Sequence, residues 1–171
     1  MPTTLSVESF SETNIRERTV LTAAAGIGDI SLQVDSTQGY NNGAIIYVGR
    51  LSSEGCEKAV IQNVASAATL TLTIALALPH NRFEAVSSVV GDKIHIYRAL
   101  NIDGTVPADA AFSVLATRTI DPDQLSTYYT DSSGDSWYWY RFTYFNETTL
   151  EATDPGESDP RRATTSATTP A

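Results

Sequence analysis

Few residues in this chain have a type and spacing that could support catalysis or metal binding, and those few are scattered. There are two histidines, His80 and His95, and one cysteine, Cys56. A structural zinc site needs about four Cys or His ligands at set spacings, and no such cluster exists here. His80 follows Pro79 in a loop-like stretch, and His95 alternates with Ile94 and Ile96 as a strand residue would; both read as structural. Cys56 sits in Gly55-Cys56-Glu57 with no neighbouring histidine to favour the thiolate, so it also reads as structural. Asp121 and Asp123, with Asp131 and Asp135, could suggest calcium held by loops. The full helix-loop-helix calcium pattern is missing, and Asp is a favoured turn residue in any case. Gly26-Ile27-Gly28 has no following helix or lysine to hold a phosphate and reads as a turn. No Gly-x-Ser-x-Gly nucleophile motif occurs. A glycosidase pair would need two carboxylates facing each other across a cleft, which acidic residues spread over loops do not indicate. The expectation is a chain that is not an enzyme, with no catalytic, cofactor or metal residues.

The remaining functional candidate is aromatic. Trp137-Tyr138-Trp139-Tyr140-Arg141-Phe142-Thr143-Tyr144-Phe145-Asn146 follows a turn-like Asp131-Ser132-Ser133-Gly134-Asp135. Aromatic and β-branched residues suit a pleated surface. Alternation puts Trp137, Trp139, Arg141, Thr143 and Phe145 on one face, and Tyr138, Tyr140, Phe142 and Tyr144 on the other. Neither face is polar, so the strand is either central in a sandwich or partly covered by a partner. Tyr and Trp are also common anchors at protein interfaces and on sugar-binding surfaces.

The surrounding elements read as an all-β protein: a small β-barrel or sandwich, followed by a short immunoglobulin- or fibronectin III-like β segment, with flexible termini. Residues 1–18 are polar with spaced Leu5, Val7, Phe10 and Ile15, which suits an N-terminal arm, extended or a short weak helix, that is either mobile or ordered by a neighbour. Residues 19–99 hold short strands at regular spacing. Ile30, Leu32 and Val34 alternate with polar residues, Asn41-Asn42-Gly43 marks a turn, and Ala44–Val48, Glu57–Val64, Thr69–Ile74, Phe83–Val90 and Lys93–Arg98 follow. Residues 100–152 add Phe112–Thr117, Ser126–Thr130 and the aromatic strand, only three or four strands in all. Residues 153–171 are rich in Thr, Ser, Ala and Pro and read as a disordered tail.

Composition narrows the partners. The 171 residues carry a net charge of −9, which disfavours phosphate backbones and anionic lipid, so neither nucleic acid nor a membrane is expected as a partner. A single cysteine excludes an internal disulfide, and the fold must suit a reducing cytosol. The N-terminus has no signal-peptide pattern, and no apolar run approaches the ~20 residues needed to span a bilayer. Asn146-Glu147-Thr148 matches a glycosylation acceptor, but that match carries little without a secretion signal. A soluble chain made in the cytoplasm is expected.

Two stretches resemble known modules. Val20–Ala24, Ile30–Thr37, Gly43–Gly49, Glu57–Ile61 and Leu70–Leu76 together resemble a small β module of tailed-bacteriophage structural proteins. Asn101-Ile102-Asp103-Gly104 through Tyr138-Trp139-Tyr140-Arg141 to Asn146 is similar to the fibronectin III or immunoglobulin-like repeats appended to virion proteins. The resemblance implies a virion component, made in the host cytoplasm, that acts as a capsid decoration or cement protein or as a neck or tail connector-collar. Its partners would be the major capsid, portal or neck, or tail proteins, in several symmetric copies of a homo-oligomer. The interface candidates are Leu5, Val7, Phe10, Ile15, Trp137, Trp139 and Tyr140. The alternative is an adhesin that stacks a host glycan on Trp137, Trp139 and Tyr140.

Overall fold

The computed structural model describes residues 2–134, 137–153, 161–162 and 168–170. All extended elements are β-strands, and the one helical element among the described residues is a single 3-10 turn at Asp109–Ala111. The strands are β1 (Thr3–Glu8), β2 (Ile15–Val20), β3 (Ser31–Gln33), β4 (Ile45–Val48), β5 (Glu57–Ser66), β6 (Thr69–Leu72), β7 (Ala85–Val89), β8 (Lys93–Leu100), β9 (Ser113–Thr119), β10 (Ser126–Asp131), β11 (Tyr138–Phe145), β12 (Arg161–Arg162) and β13 (Thr168–Pro170). They form two compact units. One comprises residues 10–90 with 121–125, the other residues 1–9, 91–120 and 126–171.

The first unit is a six-stranded sheet in the order β2-β7-β4-β5-β6-β3, antiparallel throughout. Its core follows directly from the period-two pattern. Leu70 and Leu72 of β6 point inward while Thr69 and Thr71 lie half-buried, and Ile46, Val48, Ile61 and Val86 complete the layer. Tyr40 closes one side, its hydroxyl donating to the Val86 carbonyl at 2.6 Å. Gly43 has φ of 84°, open to glycine at little steric cost, and its amide donates to Ile61 O at 2.7 Å, setting the approach of β4 to β5. The ladder does not close into a barrel, but the sheet curls until its two outer strands meet at one bridge, Leu21 with Val34.

The second unit is a sandwich of a three-stranded sheet, β10-β1-β13, and a four-stranded sheet, β12-β11-β8-β9. Two facing β-sheets, antiparallel except for the parallel β1–β13 pair, give the sandwich form that was expected. Its composition in sequence differs from the reading above. Its first strand is β1, which lies between β10 and β13 and pairs with β10 from Thr3↔Asp131 to Glu8↔Ser126. Residues 1–18 are therefore not an arm: β1 builds the sandwich and β2 is an outer strand of the first unit. The cause is a long-range partner that local polarity cannot reveal, since Thr3, Leu5 and Val7 alternate inward as a half-buried strand does.

The boundary also moves from residue 99 to Gly91. Strand β8 pairs with β9 and β11, placing Ile94 and Ile96 in the sandwich core rather than in the first unit. Gly91 is required there, since a Cβ would land on the Phe145 carbonyl. Within the expected tail, Arg161–Arg162 pairs with β11 and Thr168–Pro170 pairs in parallel with β1. The rest of that tail, 154–160, 163–167 and 171, lies outside the described residues.

Candidate functional site

Of the seven interface candidates, three are internal. Leu5 and Val7 are buried on β1, and Tyr140 is buried on β11, its hydroxyl donating to Asp131 Oδ2 at 2.7 Å. The correction has one physical cause. Alternation sends Tyr140 and Tyr144 into the sandwich, where each hydroxyl finds an acceptor; that of Tyr144 donates to Glu8 O at 2.6 Å. Burial, then the Asp131 hydrogen bond and charge, raises the Tyr140 phenol well above its ordinary value.

The other four are partly or largely open. Phe10 is half-buried edge-on against Tyr47, ring centroids 4.8 Å apart, and Ile15 is half-buried on β2. Trp139 is half-buried and its Nε1–H donates to Asn101 Oδ1 at 3.2 Å. Trp137 precedes the strand in a turn and is 62% exposed. A coplanar platform of Trp137, Trp139 and Tyr140 is therefore not formed, because Tyr140 faces the interior.

The chemistry-bearing residues are committed to structure. Cys56 is buried, and its thiol is pushed up to about 12, by burial first and then by the charges of Glu57, Asp123 and Glu84, so it stays neutral near pH 7. His95 stacks on Phe145 with centroids 4.0 Å apart, and burial lowers its value against an opposing pull from Glu147. Asp131 accepts hydrogen bonds from Tyr140, Arg98 and Ser133. Exposed Asp121 is raised, chiefly by a hydrogen bond with Asp123, then by burial and the Asp123 charge. Asp135 lies outside the described residues. Among the described residues no group of three His, Cys, Asp or Glu could hold a metal ion.

Two arrangements escape a reading of the sequence. Buried His80 sits between two carboxylates, Nε2 at 2.7 Å from Glu57 Oε1 and Nδ1 at 3.4 Å from Glu84 Oε1. Glu57 also accepts the amides of Ala77 and Leu78, so this cluster fixes the loop from 77 to 84. The four-residue spacing of His80 and Glu84 is its only sequence trace. Arg141 is buried within the aromatic strand, its guanidinium 4.2 Å over the Phe112 ring and its Nη1–H donating to Asp109 Oδ1 at 2.7 Å.

What the surface offers instead is apolar area and terminal strands. Val114, Tyr128, Ile102 and Val106 are exposed in the sandwich unit, and Ile27, Ile30, Ile74 and Phe83 in the sheet unit. Among the described residues, β9 and β10 are terminal strands of their sheets. No protein-family model matches this chain, and no curated protein matches its sequence.

Proposed function

We propose that this chain is a non-enzymatic structural component of a tailed-bacteriophage virion. In this reading it binds other virion proteins in several symmetric copies, either as a capsid decoration or cement protein or as a neck or tail connector-collar component. Its partners are then the major capsid, portal or neck, or tail proteins, and it resides in the particle. One observation carries the binding role: both β units display large apolar side chains to solvent, in a chain whose net charge of −9 would otherwise keep copies and neighbours apart. Sequence resemblance to virion β modules supplies the class of partner. The glycan reading retains a single open ring, Trp137.

Quantitative mass spectrometry of purified particles tests the proposal. A fixed copy number is expected, near that of the major capsid protein for decoration and small for a neck or tail position. Absence from particles would overturn the virion role and favour glycan binding through Trp137.

A further inference from the structure

Residues 59–81 contain no Asp, Glu, Lys or Arg, in a chain with a net charge of −9. The fold lays the second half of this stretch against residues 25–30. Ala25 bridges His80, Gly28 N donates to Leu76 O at 2.8 Å, Leu76 N to Asp29 O at 2.9 Å, and Leu72 N to Ile30 O at 2.7 Å. These bonds continue the β3–β6 ladder as a two-stranded rim. Leu72 and Leu76 turn inward, while Ile27, Ile30 and Ile74 turn out to solvent. The one carboxylate within residues 25–30, Asp29, is folded back to accept the Gly26 amide at 2.7 Å.

Ile74 is 77% exposed, and it stands at a cavity of about 160 Å³ that Val60, Thr73 and Leu76 also line, with Glu57 and Lys58 at its edge. That is the scale, on the order of 150 Å³, at which an apolar protein cavity takes up a hydrocarbon the size of benzene. The rim is also held rigidly. Glu57 fixes the amides of Ala77 and Leu78 as well as His80, so little ordering remains to be done when a partner binds.

We propose that this rim is a two-fold contact between two copies of the chain, with the Ile74 of each copy entering the cavity beside the Ile74 of the other. The proposal deepens the multi-copy virion reading and rests on it for its biological setting. A second copy is the occupant for two reasons. The projecting side chain and the cavity lie next to each other on one surface, which is the condition for a self-complementary contact about a two-fold axis. An acidic chain also repels its own copy least where its surface carries no net charge, as here, where Lys58 offsets Glu57 beside the cavity, whereas a basic partner would seek the acidic faces.

Sedimentation velocity of the full chain in about 0.15 M sodium chloride, where acidic repulsion is screened, tests this, with Ile74→Asp, the milder Ile74→Ser, and Leu125→Asp as a control at an exposed apolar residue outside the rim. The wild type is expected at twice the monomer mass of 18.4 kDa. Ile74→Asp is expected at the monomer mass with an unchanged near-ultraviolet circular dichroism spectrum, Ile74→Ser weakened in the same direction, and Leu125→Asp dimeric. If Ile74→Asp loses its native spectrum, the comparison passes to Ile74→Ser. A monomeric wild type, or a dimer that persists in the folded Ile74 variants, would overturn the proposal. The virion reading fails separately: a monomer in solution with a fixed copy number in particles sinks only the rim contact, and a rim dimer absent from particles sinks only the virion role.

Discussion

Asp131 shows how one carboxylate can hold two layers of a sandwich together. It closes β10 at the end of one sheet and accepts hydrogen bonds from Tyr140 of β11 and Arg98 of β8 in the other, at 2.7 and 3.0 Å. Burial raises its affinity for a proton, but the bonds from Tyr140, Arg98 and Ser133, with the Arg98 charge, more than offset this and hold the carboxyl below its usual range. A depressed folded-state value stabilises the protein above the unfolded value of ~3.9, and that contribution is lost as the pH falls through the lower folded value. Asp131→Ala leaves a buried phenol and a guanidinium without their acceptor and is expected to cost about 2–3 kcal/mol. For a unit of this size that lowers Tm by roughly 10–20 °C. Asp131→Asn should cost less and flatten the acid limb of the stability profile. Thermal melts of wild type and Asp131→Asn between about pH 2 and pH 6 check the sign. Curves that run parallel throughout would mean that the carboxylate contributes nothing through its charge.

At the scale of the element, β1 is where local sequence and fold diverge most. Its polar spacing suits an arm, and an arm could be removed without harm to the fold. The structure reverses that expectation, because β1 lies in the middle of a three-stranded sheet, buries Leu5 and Val7, and supplies the carbonyl that Tyr144 needs. Deleting residues 1–9 is expected to unfold the sandwich, with loss of the near-ultraviolet signal from Trp139 and a red shift of its fluorescence; a retained native spectrum would restore the arm reading. Strands whose partners are close in sequence were legible: β5 and β6 form a hairpin, and the alternation of Thr69–Leu72 places Leu70 and Leu72 inside as it should. The all-β class was legible for the same reason, whereas the two-layer form of the aromatic unit was expected only from its resemblance to immunoglobulin-like repeats. The pairing of β1 with β10, and the transfer of β8 to the second unit, depend on contacts across much of the chain, and a period-two pattern says which face is buried but not against what. The same limit applies to function. Alternation separated Trp139 from Tyr140 correctly, yet both faces hold buried residues, Tyr140 and Tyr144 on one and Arg141 and Thr143 on the other, and nothing in the residues marked which rings would be covered, nor joined Glu57 to His80.

At the scale of the whole molecule, charge sets the terms on which copies can meet. Twenty acidic against eleven basic side chains give the net charge of −9, so two approaching copies repel over most orientations. The rim built by residues 25–30 and 72–80 carries apolar side chains, and its attraction comes from removing that surface from water, which salt does not screen. Repulsion between the acidic surfaces is screened, with a Debye length falling from about 30 Å at 0.01 M to about 8 Å at 0.15 M. The two terms therefore respond oppositely to ionic strength. Self-association is expected to strengthen as sodium chloride rises from about 0.01 to 0.15 M, and the weight-average sedimentation coefficient at fixed protein concentration should rise with it. Ile74→Asp should stay at the monomer value at both salts, since screening alone supplies no attraction. Association that weakened with salt would point to ion pairs across the contact and so to a different surface. In the proposed virion role this dependence has a direct consequence: each copy is expected to stay apart from the next in dilute, low-salt solution, and to pair once screening or a crowded particle surface removes the electrostatic barrier.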